Sequence, residues 1–290
     1  MNRKIANGAQ LSAQSWRALR ENPQLLLFPL ISLIASILVT IVFFIPIAGT
    51  NLVDIAQGRE NPSILTIIVL FLYYVVNYTV VIFSNTALIG AAAVAIRGEK
   101  PTLQDGLNLA MSRLGKIIPY AIVSATVGMI ARSISQSGRR SNNLLVAIVA
   151  ALIGGILQGA WNIVVFFAIP VLVYENIGFM DSLKRSLQLF RQTWGESFVG
   201  NTVIGGVSCL ITLAIIVIGT VLIIGAISTQ SIPLIIFTIG LVVIAFVAVG
   251  LLSGAVNGIF QASMYQYATT GDAGKYIDGD LARQAFTGGQ

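Results

Sequence analysis

Six long apolar runs decide what this chain can fold into. They cover roughly residues 25–48, 64–96, 117–134, 144–174, 198–227 and 232–266. An α-helix needs about 20 apolar residues to cross the hydrocarbon core of a bilayer. Lipid offers the backbone no hydrogen bonds, so each crossing must be a helix that pairs its own N–H and C=O groups. The sequence therefore predicts an all-α integral membrane protein with six transmembrane helices.

The runs differ in length. The second, fourth and sixth have 33, 31 and 35 residues, which is about 50 Å of helix at about 1.5 Å per residue. We expect these three helices to tilt, kink or project from the bilayer. The third run is barely long enough to cross, and we expect its outer end to fray near Ser133.

The positive charges lie mostly on one side of the predicted spans. Loops on the side of the N-terminus hold thirteen of the 17 Lys and Arg residues, and the opposite side holds four. An excess of Lys and Arg is typical of cytoplasmic loops. The distribution predicts both termini in the cytoplasm, with the chain in a prokaryotic cytoplasmic membrane. Arg132, Arg139 and Arg140 are a local exception, interpreted either as a solvated loop or as a contact with lipid head groups or an acidic partner.

The available residue types exclude most site chemistry. The chain has no histidine and one cysteine, Cys209, which lies inside an apolar run. Histidine is the commonest general base and metal ligand, and a disulfide framework needs more than one cysteine. We therefore expect no catalytic, metal or cofactor site. We also expect no nucleic-acid partner. Glu175 follows the fourth span and Glu196 precedes the fifth, and for both we expect solvation at a helix end or pairing with Lys184, Arg185 or Arg191.

A short stretch with one apolar face precedes each odd-numbered span, at residues 11–20, 102–114 and 181–193. Apolar positions at three- and four-residue spacing predict amphipathic helices with one apolar face. We expect these helices to lie at the cytoplasmic membrane surface. The sequence thus predicts three similar units, each with a surface helix, an outgoing span and a returning span. All three units belong to one domain, residues 1–271, and a polar tail follows at 272–290.

Local signals mark where these helices start and stop. Thr102 followed by Asp105 predicts a capping box at the start of the second surface helix. Pro23, Gly115 and Gly195 are interpreted as breakers between each surface helix and the span that follows it.

The returning spans each carry an amide at a similar depth, and these are Asn85, Asn162 and Asn257. Gln158 and Gln261 lie four residues from Asn162 and Asn257, so each pair shares a helix face. An amide facing lipid leaves its donors and acceptors unpaired, which costs several kcal/mol. We expect the five amides to face protein or water, either as structural hydrogen bonds or as a polar path or small-ligand site.

Small residues recur at four-residue spacing in two spans. The sixth has Gly250, Gly254 and Gly258, and the fourth has Gly155 and Gly159. Such stripes let helix backbones approach closely, which drives helix packing in membranes. They predict packing within the chain, or contact between copies in a homo-oligomer.

Five segments carry a resemblance to a known family. They are 15–19 (SWRAL) with 27–30 (LFPL), 85–91 (NTALIGA), 124–129 (SATVGM) and 193–196 (TWGE). Together they resemble an uncharacterised family of six-span bacterial and archaeal membrane proteins, catalogued as a domain of unknown function. The alternation of surface helix and span is more distantly similar to the membrane domain of some glycerophosphodiester phosphodiesterases. The chain lacks their catalytic domain, so the resemblance implies no activity and no site residues.

These observations favour a non-enzymatic role. The leading interpretation is passage or handling of a small solute or lipid. The alternative is an accessory or assembly subunit that organises a larger membrane complex. The expected partners are the lipid bilayer and either a membrane-protein partner or a second copy of the chain.

Overall fold

The computed structural model describes residues 2–49, 63–139, 144–194 and 203–281. These residues are almost entirely helical, and no strand occurs among them. The α-helices are α1 (Asn2–Glu21), α2 (Leu27–Ala48), α3 (Ile64–Ile96), α4 (Leu103–Ser112), α5 (Leu114–Arg139), α6 (Leu144–Val165), α7 (Ala168–Tyr174), α8 (Phe179–Trp194), α9 (Val203–Ser228) and α10 (Ile232–Thr270). A 3₁₀ turn, Pro23–Leu26, precedes α2. The predicted all-α class is confirmed.

Six stretches of the described chain are helices long and apolar enough to cross a membrane. They are Pro23–Ala48, Ile64–Ile96, Leu114–Gln136, Leu144–Tyr174, Ile211–Ser228 and Ile232–Thr270. They match the six predicted spans in number and order, although residues 198–202 of the fifth lie outside the described residues. Large apolar side chains such as Ile41, Phe44 and Ile244 are exposed along them. An apolar surface of this extent suits hydrocarbon surroundings.

The outer part of α5 does not fray as predicted. The helix continues past Ser133 to Arg139. Close packing of α6 explains the difference, because Gly154 of α6 lies against Ala131 and Ser135 of α5. Because α6 packs this closely, it supplies contacts to the last turns of α5 that the end of an isolated helix would lack.

Gly115 does not break the chain between α4 and α5, because it lies inside the first turn of α5. The break falls at Arg113, whose carbonyl accepts hydrogen bonds from the N–H groups of Lys116 (2.9 Å) and Ile117 (3.0 Å). Pro23 does open a 3₁₀ turn before its span. The third predicted breaker, Gly195, lies outside the described residues.

The fourth run forms two helices, as expected of a segment too long for one straight crossing. α6 ends at Val165 and α7 begins at Ala168. The N–H of Phe167, at the start of α7, donates to Ser186 Oγ of α8 at 3.0 Å. A backbone donor freed by a helix break needs such a partner when it is buried. The side chain of Ser186 therefore holds the kink in place.

The chain packs as two compact units. The described residues of the first fall within Met1–Pro29, Ala92–Pro101 and Thr193–Gln290, and those of the second within Leu30–Ala91 and Thr102–Gln192. The boundaries cut through α2 and α3, so each unit is a packing group and not one stretch of sequence.

The core of the second unit forms where the first half of α5 meets α7 and α3. Its buried members are Ile82, Ile117, Tyr120, Ala121, Ala168 and Leu172. The Tyr120 ring packs against Phe179 of α8, with centroids 5.5 Å apart, and against Trp161 of α6, at 6.4 Å. This core joins α5 to α7 at the end of α5 that carries Lys116.

The first unit is closed by the segment that follows α10. Gly271 ends α10 in the left-handed conformation, and the N–H of Lys275 then donates to the carbonyl of Ile96 at 3.0 Å. Asn22 Nδ2 donates to the Tyr276 hydroxyl at 3.0 Å, and Ile277 is buried. The described part of the predicted polar tail, residues 272–281, thus packs on α1 and on the end of α3 within its own unit. The last nine residues lie outside the described part of the chain.

The predicted capping box is confirmed at the start of α4. Thr102 Oγ1 accepts a hydrogen bond from the Asp105 N–H at 3.1 Å, and Asp105 Oδ2 accepts one from the Thr102 N–H at 3.0 Å. Both bonds satisfy donors that the helix itself leaves unpaired.

We expect Thr102→Ala to lower the free energy of unfolding by about 1 kcal/mol, the usual loss for an N-cap hydroxyl. Denaturant titration in detergent measures it. Thr79→Ala is the control, since among the described residues the Thr79 hydroxyl bonds only the Val75 carbonyl one turn back in α3. That control should change the free energy by less than about 0.5 kcal/mol. Equal losses in the two variants would contradict a capping role.

Docking of the tail should weaken in acid because of Glu21. The hydrogen bond from Arg17 lowers the pKa of the Glu21 carboxyl, partial burial opposes it, and Tyr276 and Lys275 lower it further. A lowered pKa adds stability above the unfolded value, about 4.3, which is lost as the pH falls through the folded value. A spin label on Gly279→Cys, in a Cys209→Ala background, should gain mobility as the pH falls from 6 to 3. With Glu21→Gln this pH dependence should become smaller, and an unchanged profile in that variant would contradict the assignment.

Candidate functional site

The predicted amides of the second unit fall in two places. Gln158 Nε2 donates to Asn162 Oδ1 at 3.1 Å along α6. Gln158 is half-buried and Asn162 is exposed. Asn85 of α3 is half-buried between the buried residues Ser84 and Thr86. In the described part of this unit no hydrogen bond joins Asn85 to the Gln158–Asn162 pair.

The remaining two amides belong to the first unit. Asn257 is exposed on α10 and Gln261, one turn later, is half-buried. The three asparagines are therefore equivalent only in their position along the helices, because Asn85 is half-buried whereas Asn162 and Asn257 are exposed. A shared polar path remains a prediction.

The glycines of α6 make their close contact at a position other than the predicted ones. A Cβ at Gly155 or Gly159 would have no atom within 4 Å, whereas one at Gly154 would lie 2.1 Å from Ser135 Oγ and 2.8 Å from the Ala131 carbonyl oxygen. One residue turns a helix by about 100°, which separates the two faces. Within the described part of the second unit, Gly155 and Gly159 therefore show no close contact with a neighbouring helix, and helix packing through them stays a prediction.

The glycines of α10 also differ among themselves. A Cβ at Gly250 would have no neighbour within 4 Å, and one at Gly254 would meet Pro29 at 3.8 Å. Gly258 is buried. Only the later part of the predicted stripe lies against other parts of the first unit.

Gly154→Ala should lower the free energy of unfolding by about 1–3 kcal/mol, because the added methyl forces α5 and α6 apart. Gly155→Ala is the matched control, with no contact to disturb and a better helix former in place. It should leave stability unchanged or raise it by up to about 1 kcal/mol. Thermal unfolding of the two variants in one detergent separates them, and a loss in the control equal to that in Gly154→Ala would contradict the packing described here.

Arg132 of α5 packs against the aromatic residues of α3. Its Nη1 donates to the Tyr74 hydroxyl, and its guanidinium carbon lies 4.8 Å from the centroid of that ring. The Tyr73 hydroxyl lies 3.2 Å from Thr40 Oγ1. One turn closer to the core, Gly128 gives space to Tyr78, whose hydroxyl lies 2.9 Å from where a Cβ would stand. The contact with Tyr74 was missed from sequence, although an aromatic pair at one end of a span is a usual interfacial signal.

The other two members of the predicted arginine cluster are not placed. Arg139 ends α5, with its side chain outside the described part of the structure, and Arg140 lies outside the described residues. Only Arg132 can therefore be assessed as a head-group or partner contact.

An open groove of about 370 Å³ is lined by residues of α3 and α5. Its lining residues are Phe71, Thr126, Met129, Ile130, Ser133 and Ile134. The Thr126 hydroxyl donates to the Ile122 carbonyl at 2.9 Å, so it offers no free donor to the groove. The lining is almost wholly apolar, which suits a hydrocarbon chain and not a polar solute.

The opposite end of α5 carries charged contacts. Glu175, after α7, accepts from Arg185 Nε of α8 at 3.0 Å, which confirms the pairing expected for this carboxylate. Lys116 Nζ donates to both the backbone and the side-chain oxygen of Asn176. Glu196 lies outside the described residues. Among those residues, no group of three or more His, Cys, Asp or Glu side chains is placed to hold a metal ion.

Comparison with known proteins connects the chain to one family. The model of a family of unknown function, DUF6159, matches residues 64–275. The match covers nearly three quarters of the chain, including the groove and both ends of α5. A comparison with curated proteins finds no match. The chain therefore belongs to DUF6159, a family of unknown function, and its six apolar helices are compatible with a membrane protein.

Proposed function

We propose that this protein is a non-enzymatic integral membrane protein that binds and handles lipid. The observation that carries the proposal is an exposed arginine beside an apolar groove. The groove would take part of an acyl chain, and Arg132 would take the phosphate of the same lipid.

The two parts of the proposed site are adjacent on both helices. On α5, Met129 of the groove lies three residues before Arg132. On α3, Phe71 lies three residues from Tyr74, which contacts Arg132. Residues three and four apart share a helix face, so the head-group contact lies at the edge of the groove. From Thr126 to Ile134 the groove follows about 12 Å of helix, enough for part of one acyl chain.

The charge of Arg132 suits an anionic lipid. Among the described residues, Arg132 contacts Tyr74 and no carboxylate. A guanidinium beside an aromatic ring at a membrane surface keeps donors for a phosphate, which it binds with two parallel hydrogen bonds. A zwitterionic lipid would leave part of this charge uncompensated.

The proposal includes the membrane orientation. The excess of Lys and Arg on one side supports cytoplasmic termini in a prokaryotic cytoplasmic membrane, which puts Arg132 at the outer leaflet. We also propose that α1, α4 and α8 lie on the cytoplasmic surface as the first elements of three repeated units. The faces of α8 support this role, since Ser186, Leu189 and Phe190 are buried whereas Lys184 and Arg191 are exposed.

Native mass spectrometry of the purified protein tests the lipid site. We expect the wild type to retain phosphatidylglycerol in preference to phosphatidylcholine, and Arg132→Gln to weaken that retention about tenfold or more, as for a lost charge-assisted contact. Arg97→Gln removes an exposed charge elsewhere and should retain the lipid like the wild type. A phosphatidylglycerol with a photoactivatable acyl chain should label Met129, Ile130 or Ile134. Equal retention by the two arginine variants, with no label in the groove, would overturn the proposal.

A second candidate is an accessory or assembly subunit. Gly155 and Gly159 support it, because they leave an open strip on α6 against which another membrane helix could pack closely. The partner would be a different membrane protein or a second copy of this chain. Purification in gentle detergent tests this candidate, and a monomer with no stoichiometric partner would count against it. Solute passage along the amides, and the distant likeness to the membrane domain of glycerophosphodiester phosphodiesterases, remain predictions.

A further inference from the structure

Arg113 has an unsatisfied donor inside the second unit. It follows the last residue of α4, and its Nε atom is buried with no hydrogen-bond partner among the described residues. A buried donor on a charged group costs more free energy than a neutral one when it is left unpaired. Native structures seldom leave such donors unpaired without a ligand or a functional reason. The rest of the side chain is half-exposed, so a ligand can approach it from outside.

Lys116 brings a second positive charge to the same place. It lies three residues after Arg113 in the chain. The backbone N–H of Lys116 donates to the backbone carbonyl of Arg113 at 2.9 Å, which keeps the two residues within one turn of each other. The ammonium donates to the carbonyl and side-chain oxygens of Asn176, a residue with φ of +52° just after α7. Both acceptors are neutral, so the charge of Lys116 is held in position without being compensated.

The carboxylate next to Asn176 in the chain already has a cation of its own. Glu175, next to Asn176, accepts from Arg185 Nε at 3.0 Å. Arg113, Lys116 and Arg185 therefore bring three positive charges against one carboxylate among the described contacts. This group, which we call the cationic elbow, joins the start of α5 to the end of α7. It lies about 24 Å along α5 from Arg132, so it is separate from the proposed groove site.

We propose that the cationic elbow binds a phosphate group between Arg113 and Lys116. A guanidinium fork and an ammonium on one helical turn match the oxygens of a phosphate, and each contact is a charge-assisted hydrogen bond. The ligand is either the head group of an anionic lipid or a free phosphate compound, since the chemistry is the same for both. Under the proposed orientation the elbow faces the cytoplasmic leaflet, where basic pockets bind such head groups.

Binding to the full chain in phosphatidylcholine nanodiscs tests this site. One arm titrates inorganic phosphate, and the other adds phosphatidate to the nanodiscs in stepwise amounts; thermal unfolding is the readout in both. We expect a rise in the unfolding temperature of the wild type in at least one arm. A response to phosphate in solution identifies a free-anion site, whereas a response to phosphatidate alone that persists in Arg132→Gln and is lost in Arg113→Gln identifies a head-group site at the elbow.

Three variants decide which residues are responsible. Arg113→Gln and Lys116→Gln should each weaken binding about tenfold, as for the loss of one charge-assisted contact. Lys184→Gln makes the same change of charge on the exposed side of α8 and should bind like the wild type. Arg113→Lys keeps the charge without the fork and should lose a smaller part of the affinity; it also serves if Arg113→Gln fails to fold.

The proposal is overturned if neither ligand raises the unfolding temperature, or if Lys184→Gln weakens binding as much as Arg113→Gln. Arg132→Gln should leave binding at the elbow unchanged. The two lipid sites can therefore fail or succeed independently.

Discussion

The inability of lipid to hydrogen-bond the backbone is the constraint on which the rest of this structure depends. Inside each long helix the backbone pairs with itself, so the informative places are those where a helix stops. There the chain supplies side chains as partners. Thr102 and Asp105 cap the start of α4, and Ser186 accepts the N–H freed at the kink between α6 and α7. Lys116 donates to the carbonyl that follows α7. Each of these helix ends is therefore stabilised by a side-chain hydrogen bond. The contact made by Lys116 lies at the end of α5 that carries the cationic elbow.

α5 organises the second unit. It is among the shorter of the six candidate spans, yet 39% of its most apolar window is buried, more than in any other described span. Its inner face carries Ala121, Ala125 and Gly128, which let α3 and α7 come close. The two proposed phosphate contacts lie at opposite ends of this helix, with Arg132 towards one end and Lys116 near the other.

Much of the fold could be predicted because apolar length and cap chemistry are properties of the chain itself. The span from residue 64 to 96 has the same bounds in the sequence prediction and in the structure, and Thr102–Asp105 forms the expected box. Predictions that depend on which face of a helix meets a neighbour were less accurate. Gly155 and Gly154 look equivalent in a list of residues, but they point about 100° apart and only Gly154 lies against α5. The single-sequence pattern contains no information about which face meets a neighbour.

The candidate sites likewise divide into features that the sequence predicts and features that depend on tertiary contacts. The sequence by itself determined the number of spans, their apolar composition and the position of Arg132 near the end of one of them, because burial in lipid acts on each segment separately. Only the tertiary structure decided that Arg132 meets Tyr74 beside an apolar groove, and that Arg113 and Lys116 share an elbow with Asn176, sixty residues away from Lys116. Those contacts join segments far apart in the chain, and they depend on how closely Ala- and Gly-lined helices pack, which no local pattern of residues specifies.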